Sequence, residues 1–378
     1  MSLSLRAQLG LFLFLFAACA KDDNSHFSPE KPTPEGSAPA ILRDYGDIVR
    51  NQEDFKSLGL LNDPSLTSVT AEFGPSVIQT TGLPFKSSLA MASVKPWSSW
   101  WYPKKDQDLF ADTAGVRSAP LTKFDYFQLS RNSRSGSSAE YERKTYDPNA
   151  ARWEGLCDAW ALASIVLPEP QRPVRIYVER PIATWLTFSV GDLKALSLKT
   201  FEAVQESDLK YYGQKFTGDY NGWIYPDLFP EQFHRFLEVY LFQKKQAFIM
   251  DHDAGVEVWN VPVYKANFNI SSIPDEPNSL FVQTWLYSAE SVQANDKNFV
   301  GTREAVREYN YVLQGVRDSN GNLVINGGYW VKGPTGIDSR KDHPDYLIAV
   351  PDPNKLVRQS WNPQIDIQLV DEILSKSY

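Results

Sequence analysis

Cys157 stands where a reactive thiol would be useful. It follows Gly155 near the start of residues 153–166, which are apolar almost all round and therefore predict a buried helix. A helix N-terminus offers partial positive charge and free N–H groups, which stabilise a thiolate and can hold an oxyanion. A cysteine placed there is suited to attack a carbonyl carbon and form a thioester. Alternatively, Cys157 has no chemical role and is simply a small apolar residue buried in the core.

A nucleophilic cysteine needs a base, and the chain has four histidines. His26 lies in a polar N-terminal stretch and is set aside. His234 sits on a predicted helix, His252 ends a predicted strand, and His343 precedes another strand. At least two of these three must be structural histidines, because one base suffices. The residue after the cysteine, Asp158, opposes thiolate formation by its charge, or it caps the first turn of the helix.

The N-terminus predicts export. Arg6 precedes a short apolar run, Leu9 to Phe16, which ends in small residues before Cys19 and resembles a bacterial lipoprotein processing site. The alternative is an ordinary secretory signal cut at Ala18 or Ala20. We therefore expect a signal peptide over 1–18 and a disordered tether over 19–40, rich in Pro, Ser and charged residues. The protein would be a cell-envelope lipoprotein, in the outer membrane, or a secreted protein.

Composition narrows the classes of partner. The formal charge is −8, and removal of residues 1–18 with Arg6 makes it −9, which argues against nucleic acid as a partner and against an anionic membrane surface as the main one. Membrane attachment would come through lipid on Cys19. Cys157 would then be the second and last cysteine, so no disulfide within the chain would form.

The remaining pattern predicts an α+β fold in which the buried cysteine helix packs on a mostly antiparallel sheet. We expect an N-terminal extension over 41–95 that packs on a core domain over 96–378. The spacing of Phe233, Phe236 and Leu237 predicts a helix over 230–244. Asn320-Gly321 predicts a type I′ hairpin turn. Strands are predicted at 173–179, 247–251, 256–263, 279–287, 307–316 and 323–331.

Several motifs together resemble the transglutaminase elicitor family. The sequence around the cysteine, WEGLCDAWA, resembles that family's cysteine motif, and the VWNVPV string at residues 258–263 is long and unusual enough to be specific. The resemblance extends from Trp97 to the C-terminus. The other matching segments are PWSSWW (96–101), Phe233-His234, FIMD (248–251), GGYWV (327–331) and HPDYL (343–347).

The resemblance implies a papain-like, transglutaminase-like core that transfers the acyl group of a protein glutamine to a lysine amine through a cysteine thioester. It implies Cys157 as nucleophile, His234 as base and Asp251 as the orienting carboxylate, with Asp253 in reserve. It also implies a dependence on Ca²⁺. No metal ligand is predicted from the residues themselves: the Asp318-x-Asn320-x-Asn322 string lacks the later glycine and glutamate of a calcium loop, so a hairpin is favoured.

Three departures from the family pattern keep alternatives open: Asp158, Val261 and Tyr240 replace the expected His, Gln and Asn. The second hypothesis is a papain-like cysteine protease or amidase, which shares the chemistry of a transglutaminase up to the acyl-enzyme. A non-catalytic surface-binding lipoprotein is the third hypothesis.

Other residues of the motifs have less certain roles. His343 and His252 remain rivals of His234 as the base. Trp100 and Trp101 have aromatic packing as their simplest role, and donation of an indole N–H to an oxyanion as the alternative.

Overall fold

A computed structural model describes residues 64–81, 85–113, 116–131, 136–151, 153–213, 228–252, 258–340 and 342–378. The predicted signal peptide (1–18) and tether (19–40) lie outside these residues, as does Asp253. The described helices are α1 (Pro64–Phe73), α2 (Pro120–Ser130), α3 (Ser138–Thr145), α4 (Cys157–Val166), α5 (Val190–Lys199), α6 (Pro230–Leu237) and α7 (Ile367–Leu374). A π-helical segment, Glu238–Gln243, continues α6.

Eleven strands occur in the described part of the chain. They are β1 (Val77–Ile78), β2 (Phe85–Met91), β3 (Val174–Val178), β4 (Thr184–Phe188), β5 (Lys210–Gly213), β6 (Phe248–Asp251), β7 (Asn260–Ile273), β8 (Glu276–Ala289), β9 (Glu304–Arg317), β10 (Leu323–Trp330) and β11 (Tyr346–Ala349).

Nine of these strands form one antiparallel sheet. The order is β1-β10-β9-β8-β7-β6-β11-β5, and β2 pairs with the part of β7 that β6 leaves uncovered. β3 and β4 form a separate two-stranded sheet. The expected mixture of helices with a mostly antiparallel sheet is therefore confirmed. Residues 64–91, which fall in the predicted N-terminal extension, supply α1 and two strands of the main sheet.

Helices cover the main sheet on both faces. Successive side chains of a strand point to opposite faces, so the register of neighbouring strands shows which residues share a face. On the first face, α6 packs with the ring of Phe236 against that of Phe248 in β6. α4 packs on β6 and β7, and α5 lies beside it. The side chains that decide which face α4 occupies, Asn260 and Tyr346, are described with the site below.

Local sequence explains how the helices begin. Pro230 opens α6, where a missing backbone N–H costs nothing. α5 begins with a capping box, in which Ser189 accepts from the backbone of Asp192 and the Asp192 carboxylate accepts from Ser189 N. α4 has no side-chain cap; eight of its ten residues are buried, so tertiary packing stabilises it.

The Asn320-Gly321 hairpin is confirmed between β9 and β10, but the predicted turn type is wrong. A type I′ turn needs a positive φ at both central residues. Here Gly321 has φ +81° and Asn320 does not have a positive φ. The loop spans 318–322, and the carboxylate of Asp318 accepts from the backbone of Asn320 and Asn322. These bonds engage the Asp318 carboxylate within the loop.

One further difference concerns the length of a strand. The strand predicted over 256–263 extends to Ile273, where it turns into β8. Among the helices that the structure describes, none is both long and apolar enough to cross a bilayer.

Candidate active site

Cys157 is the first residue of α4 and is completely buried. The residue before it, Leu156, accepts the first helical hydrogen bond from Trp160 N at 2.8 Å and donates its own N–H to Trp101 O at 2.7 Å. The sulfur therefore projects from a helix start that is held in place by the Trp101 backbone.

Cys157 is disulfide-bonded in the structure. The chain has two cysteines, Cys19 and Cys157, so a disulfide within one chain and a lipid on Cys19 exclude each other. The expectation of no internal disulfide applies to a chain that carries lipid on Cys19, and for that form it stays a prediction. Only the thiol form of Cys157 is available as a nucleophile.

Gly155 permits the close approach of Trp101 to the cysteine. A Cβ at position 155 would lie 2.6 Å from Trp101 Cδ1, 3.1 Å from Trp101 O and 3.2 Å from Pro103 Cα. Two of these three neighbours are backbone atoms, which cannot rotate away. Any larger residue would therefore push the Trp101 segment away from the start of α4.

A hydrogen-bonded group of three side chains adjoins Cys157. Asn260 Nδ2 donates to Asp158 Oδ1 at 2.6 Å and to the hydroxyl of Tyr346 at 3.1 Å. Asn260 and Tyr346 are buried. Burial raises the pKa of Tyr346 far above its usual value, and the charges of Asp251 and Asp158 raise it further, so this hydroxyl stays protonated.

Asp251 lies on the same face of the sheet as this group. It pairs with Asn260 across β6 and β7, and its Oδ1 accepts from Trp259 N at 2.9 Å. Asp251 is fully buried. The structure therefore brings the predicted carboxylate Asp251 to the α4 face of the sheet, as the neighbour of Asn260.

Two indoles supply donors close to the cysteine. The rings of Trp100 and Trp101 lie 4.2 Å apart, and both side chains are buried. Neither Nε1 has a hydrogen-bond partner among the described residues. A buried donor without an acceptor costs free energy, so each indole N–H needs a partner such as a bound water or a substrate oxygen. Donation to an oxyanion, the alternative role proposed for these tryptophans, stays a prediction.

The structure does not bring His234 to Cys157. His234 Nδ1 lies 2.8 Å from the hydroxyl of Tyr311, and its ring stacks on Phe268 at 4.5 Å. It belongs to α6, on the first face of the sheet, whereas Asp158 contacts Asn260 on the other face. The predicted grouping of Cys157, His234 and Asp251 is therefore corrected: the sheet separates His234 from the other two.

The other two histidines lie at different places. The ring of His343 stacks on Trp330 at 5.0 Å and its Nδ1 lies 2.9 Å from Ser339 O. Trp330 contacts Phe233 of α6, which puts His343 on the α6 side as well. His252 directly follows Asp251 at the end of β6 and is half-buried. Its carbonyl oxygen lies 3.4 Å from the hydroxyl of Tyr309.

No group of three or more His, Cys, Asp or Glu side chains that could hold a metal ion occurs in the described ranges. The carboxylate of Asp318 is engaged within its own hairpin. The dependence on Ca²⁺ that the family resemblance implies stays a prediction, and no chemical step is assigned to a metal.

Comparison with known proteins agrees with the motifs. The sequence profile of the transglutaminase elicitor family matches residues 127–290. The predicted resemblance to that family is confirmed. The matched range contains Cys157, Asp251 and Asn260. No curated protein sequence matches the chain at a significant level.

A solved structure shares the fold. The crystal structure of the GP42 transglutaminase from Phytophthora sojae matches with a TM-score of 0.53 and 18% sequence identity, over 83% of this chain and 97% of that chain. At this identity the likeness concerns the fold. The chain thus has a mixed α/β structure of the kind found in a transglutaminase.

Sequence reasoning missed the part played by Asn260 and Tyr346. Both residues lie in the motifs that carry the family resemblance, but no role in catalysis was assigned to either. A signal existed in the chemistry: Asn260 is the polar residue of an otherwise apolar string, and a buried amide needs partners. That the partner is Asp158 depends on how α4 lies on the sheet.

Proposed function

We propose that the protein is a transglutaminase-like acyltransferase with a papain-like active site, in which the thiol form of Cys157 attacks the carboxamide carbon of a protein glutamine. The observation that carries this proposal is the position of Cys157 at the first turn of a buried helix, beside a hydrogen-bonded Asp158–Asn260 pair and two indole donors. The substrates would be proteins with accessible glutamine and lysine side chains.

The first step would form a thioester and release ammonia. The carbonyl oxygen becomes an oxyanion as the carbon turns tetrahedral, and it needs donors positioned beforehand. The Nε1 groups of Trp100 and Trp101 and the free N–H groups at the start of α4 are the candidates. Because Asn260 engages Asp158 Oδ1, the negative charge beside Cys157 is partly satisfied by a donor, which lessens its opposition to a thiolate.

We infer that His252 is the base. His234 and His343 make their ring contacts on the α6 side of the sheet, whereas His252 lies just beyond the last residue of β6, outside the paired strand, and is half-buried. His252 would take the proton of the Cys157 thiol and deliver it to the departing ammonia. A lysine amine then attacks the thioester and gives an isopeptide bond; water in its place gives glutamate.

The test is the incorporation of a fluorescent primary amine into a glutamine-rich protein under reducing conditions, with and without Ca²⁺. Wild type is compared with Cys157→Ala. Label that depends on Cys157 supports the proposal. Ammonia or cleaved peptide without label would show that water is the acceptor, as in a hydrolase. The absence of every product under reducing conditions would refute the acyltransferase.

The second candidate is a non-catalytic surface-binding lipoprotein. The departures from the family pattern at Asp158 and Val261 favour it. A thiol-reactive probe applied after mild reduction separates the two. Reaction of Cys157 faster than that of free cysteine supports the enzyme, and equal or slower reaction supports the binding protein.

We further propose that Cys19 carries the lipid that attaches the protein to the cell envelope. Lipid on Cys19 would leave Cys157 as a thiol, so the anchor and the nucleophile are chemically linked. Intact-mass measurement of protein from the membrane fraction tests this. A mature chain that begins at Cys19 without the added acyl mass would contradict it.

A further inference from the structure

The hairpin made by β3 and β4 presents an exposed aromatic face. Residues of both strands alternate between buried and exposed, so the inner face packs on the body and the outer face does not. On the outer face, Tyr177 and Trp185 pair across the strands with ring centroids 5.2 Å apart, and about half of each side chain is exposed. Ile182 in the turn is 73% exposed, more than any other large apolar side chain in the described ranges.

Arginines surround these apolar residues. The guanidinium of Arg175 lies 4.5 Å from the ring of Trp185, and Arg180 precedes the turn. A third, Arg117, lies 3.9 Å over the ring of Tyr126. The hydroxyl of Tyr126 contacts both the N–H and the carbonyl oxygen of Ile182, so Arg117 is close to the turn.

We call this set the hairpin surface. It consists of Arg117, Arg175, Tyr177, Arg180, Ile182 and Trp185. Glu179, also exposed, is the acidic residue on these two strands and their turn, where Arg175 and Arg180 carry two positive charges; the charge of Arg117 acts on the nearby carboxylate of Asp112. The chain as a whole has a formal charge of −8, so the local charge is opposite to the average.

We propose that the hairpin surface docks onto an anionic phospholipid bilayer. Tryptophan and tyrosine are enriched at the level of lipid headgroups, where one end of the ring is apolar and the other wet. Ile182 can enter the acyl boundary, and arginines attract anionic headgroups by charge. The docked hairpin would hold the folded body against the membrane independently of the tether.

A soluble glycan is the less suitable occupant. The Tyr177 and Trp185 rings are tilted by 56° to each other, so they do not form one flat platform. Arg175 also covers one side of the Trp185 ring. The deduction from overall acidity, which argued against an anionic membrane surface, does not apply to this part of the molecule, because screening limits charge effects to about 10 Å.

The outer face can be altered without disturbing the core, since its side chains point away from the body. The test uses the full chain with Cys19→Ser, so that no lipid is attached there. An environment-sensitive fluorophore is placed at Ile182→Cys, and at Val316→Cys as the control, because Val316 is 59% exposed on a different strand. The Cys19→Ser protein without a new cysteine is labelled in parallel as the blank.

Vesicles of phosphatidylcholine with and without phosphatidylglycerol are then added. The proposal predicts a blue shift at position 182 with phosphatidylglycerol, weakened by salt, and none at position 316. No shift at 182, or equal shifts at both positions, would overturn it. A response at 182 to soluble polygalacturonate but not to vesicles would assign the surface to a glycan instead and also overturn it.

Charge removal gives a second readout. Arg175→Ala and Arg180→Ala should each weaken vesicle binding about fivefold, since one arginine near an anionic surface contributes about 1 kcal/mol. Lys355→Ala, in an exposed pair with Asp352, is the matched control and should leave binding unchanged. Circular dichroism confirms that each variant is folded. Equal effects of all three substitutions would contradict docking through the hairpin.

Discussion

Asn260 Nδ2 and Asp158 Oδ1 lie 2.6 Å apart, so the residue that follows Cys157 in the helix is tied to the first residue of β7. The same amide nitrogen reaches Tyr346 on β11. One side chain therefore connects the helix that carries the thiol with two strands of the sheet. It both positions the start of α4 and supplies a donor to a carboxylate next to the nucleophile.

Asn260→Ala should lower turnover about 10- to 100-fold while the protein stays folded. The substitution leaves the Asp158 carboxylate without its amide donor, and a hydrogen bond to a charged group contributes about 1.5–3 kcal/mol. Amine incorporation measures the effect. Asn267→Ala is the control, because this asparagine of the same strand accepts from exposed Ser87 on its outer part. Equal losses in both variants would argue against a role for Asn260 in the site.

The indole donors can be separated from the aromatic packing. Trp100→Phe and Trp101→Phe keep a buried ring and remove the N–H. If the indoles bind the oxyanion, kcat should fall about 100-fold with little change in KM, the size found for single oxyanion donors. The exposed Trp361→Phe should behave as wild type. Unchanged kcat in both buried variants would return these tryptophans to a purely structural role.

His234 should make stability, rather than turnover, depend on pH. Burial lowers the pKa of His234 below 6.5; the carboxylate of Glu238 opposes this shift, and Arg235 adds to it. A group whose pKa is lower in the folded state binds more protons in the unfolded state. Its stabilising contribution is therefore complete above pH 6.5 and lost as the pH falls below that value.

Urea unfolding between about pH 8 and about pH 5 measures this dependence. His234→Gln should flatten the loss below pH 6.5, and it should retain amine incorporation in the fraction that is folded. His252→Ala should show the reverse: unchanged stability and lost turnover. If His234→Gln alone abolishes turnover in folded protein, the assignment of His252 as base is wrong.

The sequence predicts most of the elements near the site, because their signals are local. The apolar run after Cys157, the short apolar run of β6 and the Asn-Gly turn signal before β10 are such signals, and the structure contains all three elements. The extension of β7 to Ile273 was not predicted, because polar residues such as Asn267 and Asn269 interrupt the apolar pattern. Asn269 is nevertheless buried and Asn267 half-buried, and this part of β7 is paired with β2 on one side and β8 on the other.

Local sequence signals do not predict which face of a sheet a helix will cover. Phe233-His234 predicts a helix correctly, but nothing in these residues states which side of the sheet it will cover. The contacts of His234 with Phe268 and Tyr311 join residues far apart in the chain. The pairing of Asn260 with Asp158 likewise depends on strand register and helix placement, which spacing alone does not provide.

Lys194 should be essential for the position of the tryptophan segment. Its buried ammonium donates to Ser98 O at 2.5 Å, to Glu169 at 2.7 Å and to Phe299 O at 2.8 Å. Burial lowers the pKa of Lys194, and Glu169 counteracts this effect. The bond to Ser98 lies two residues before Trp100, so the charged pair fixes the backbone from which both indoles project.

Lys194→Met should destabilise the protein by about 3–5 kcal/mol, because it leaves Glu169 and two carbonyl groups without their cation. Urea denaturation measures the change. Lys355→Met, which breaks an exposed pair with Asp352, is the matched control and should cost less than about 1 kcal/mol. In the folded fraction, Lys194→Met should also lower kcat more than it raises KM, since the donors for the oxyanion shift while the substrate surface remains. Equal destabilisation by the two substitutions would show that the buried pair does not hold the segment.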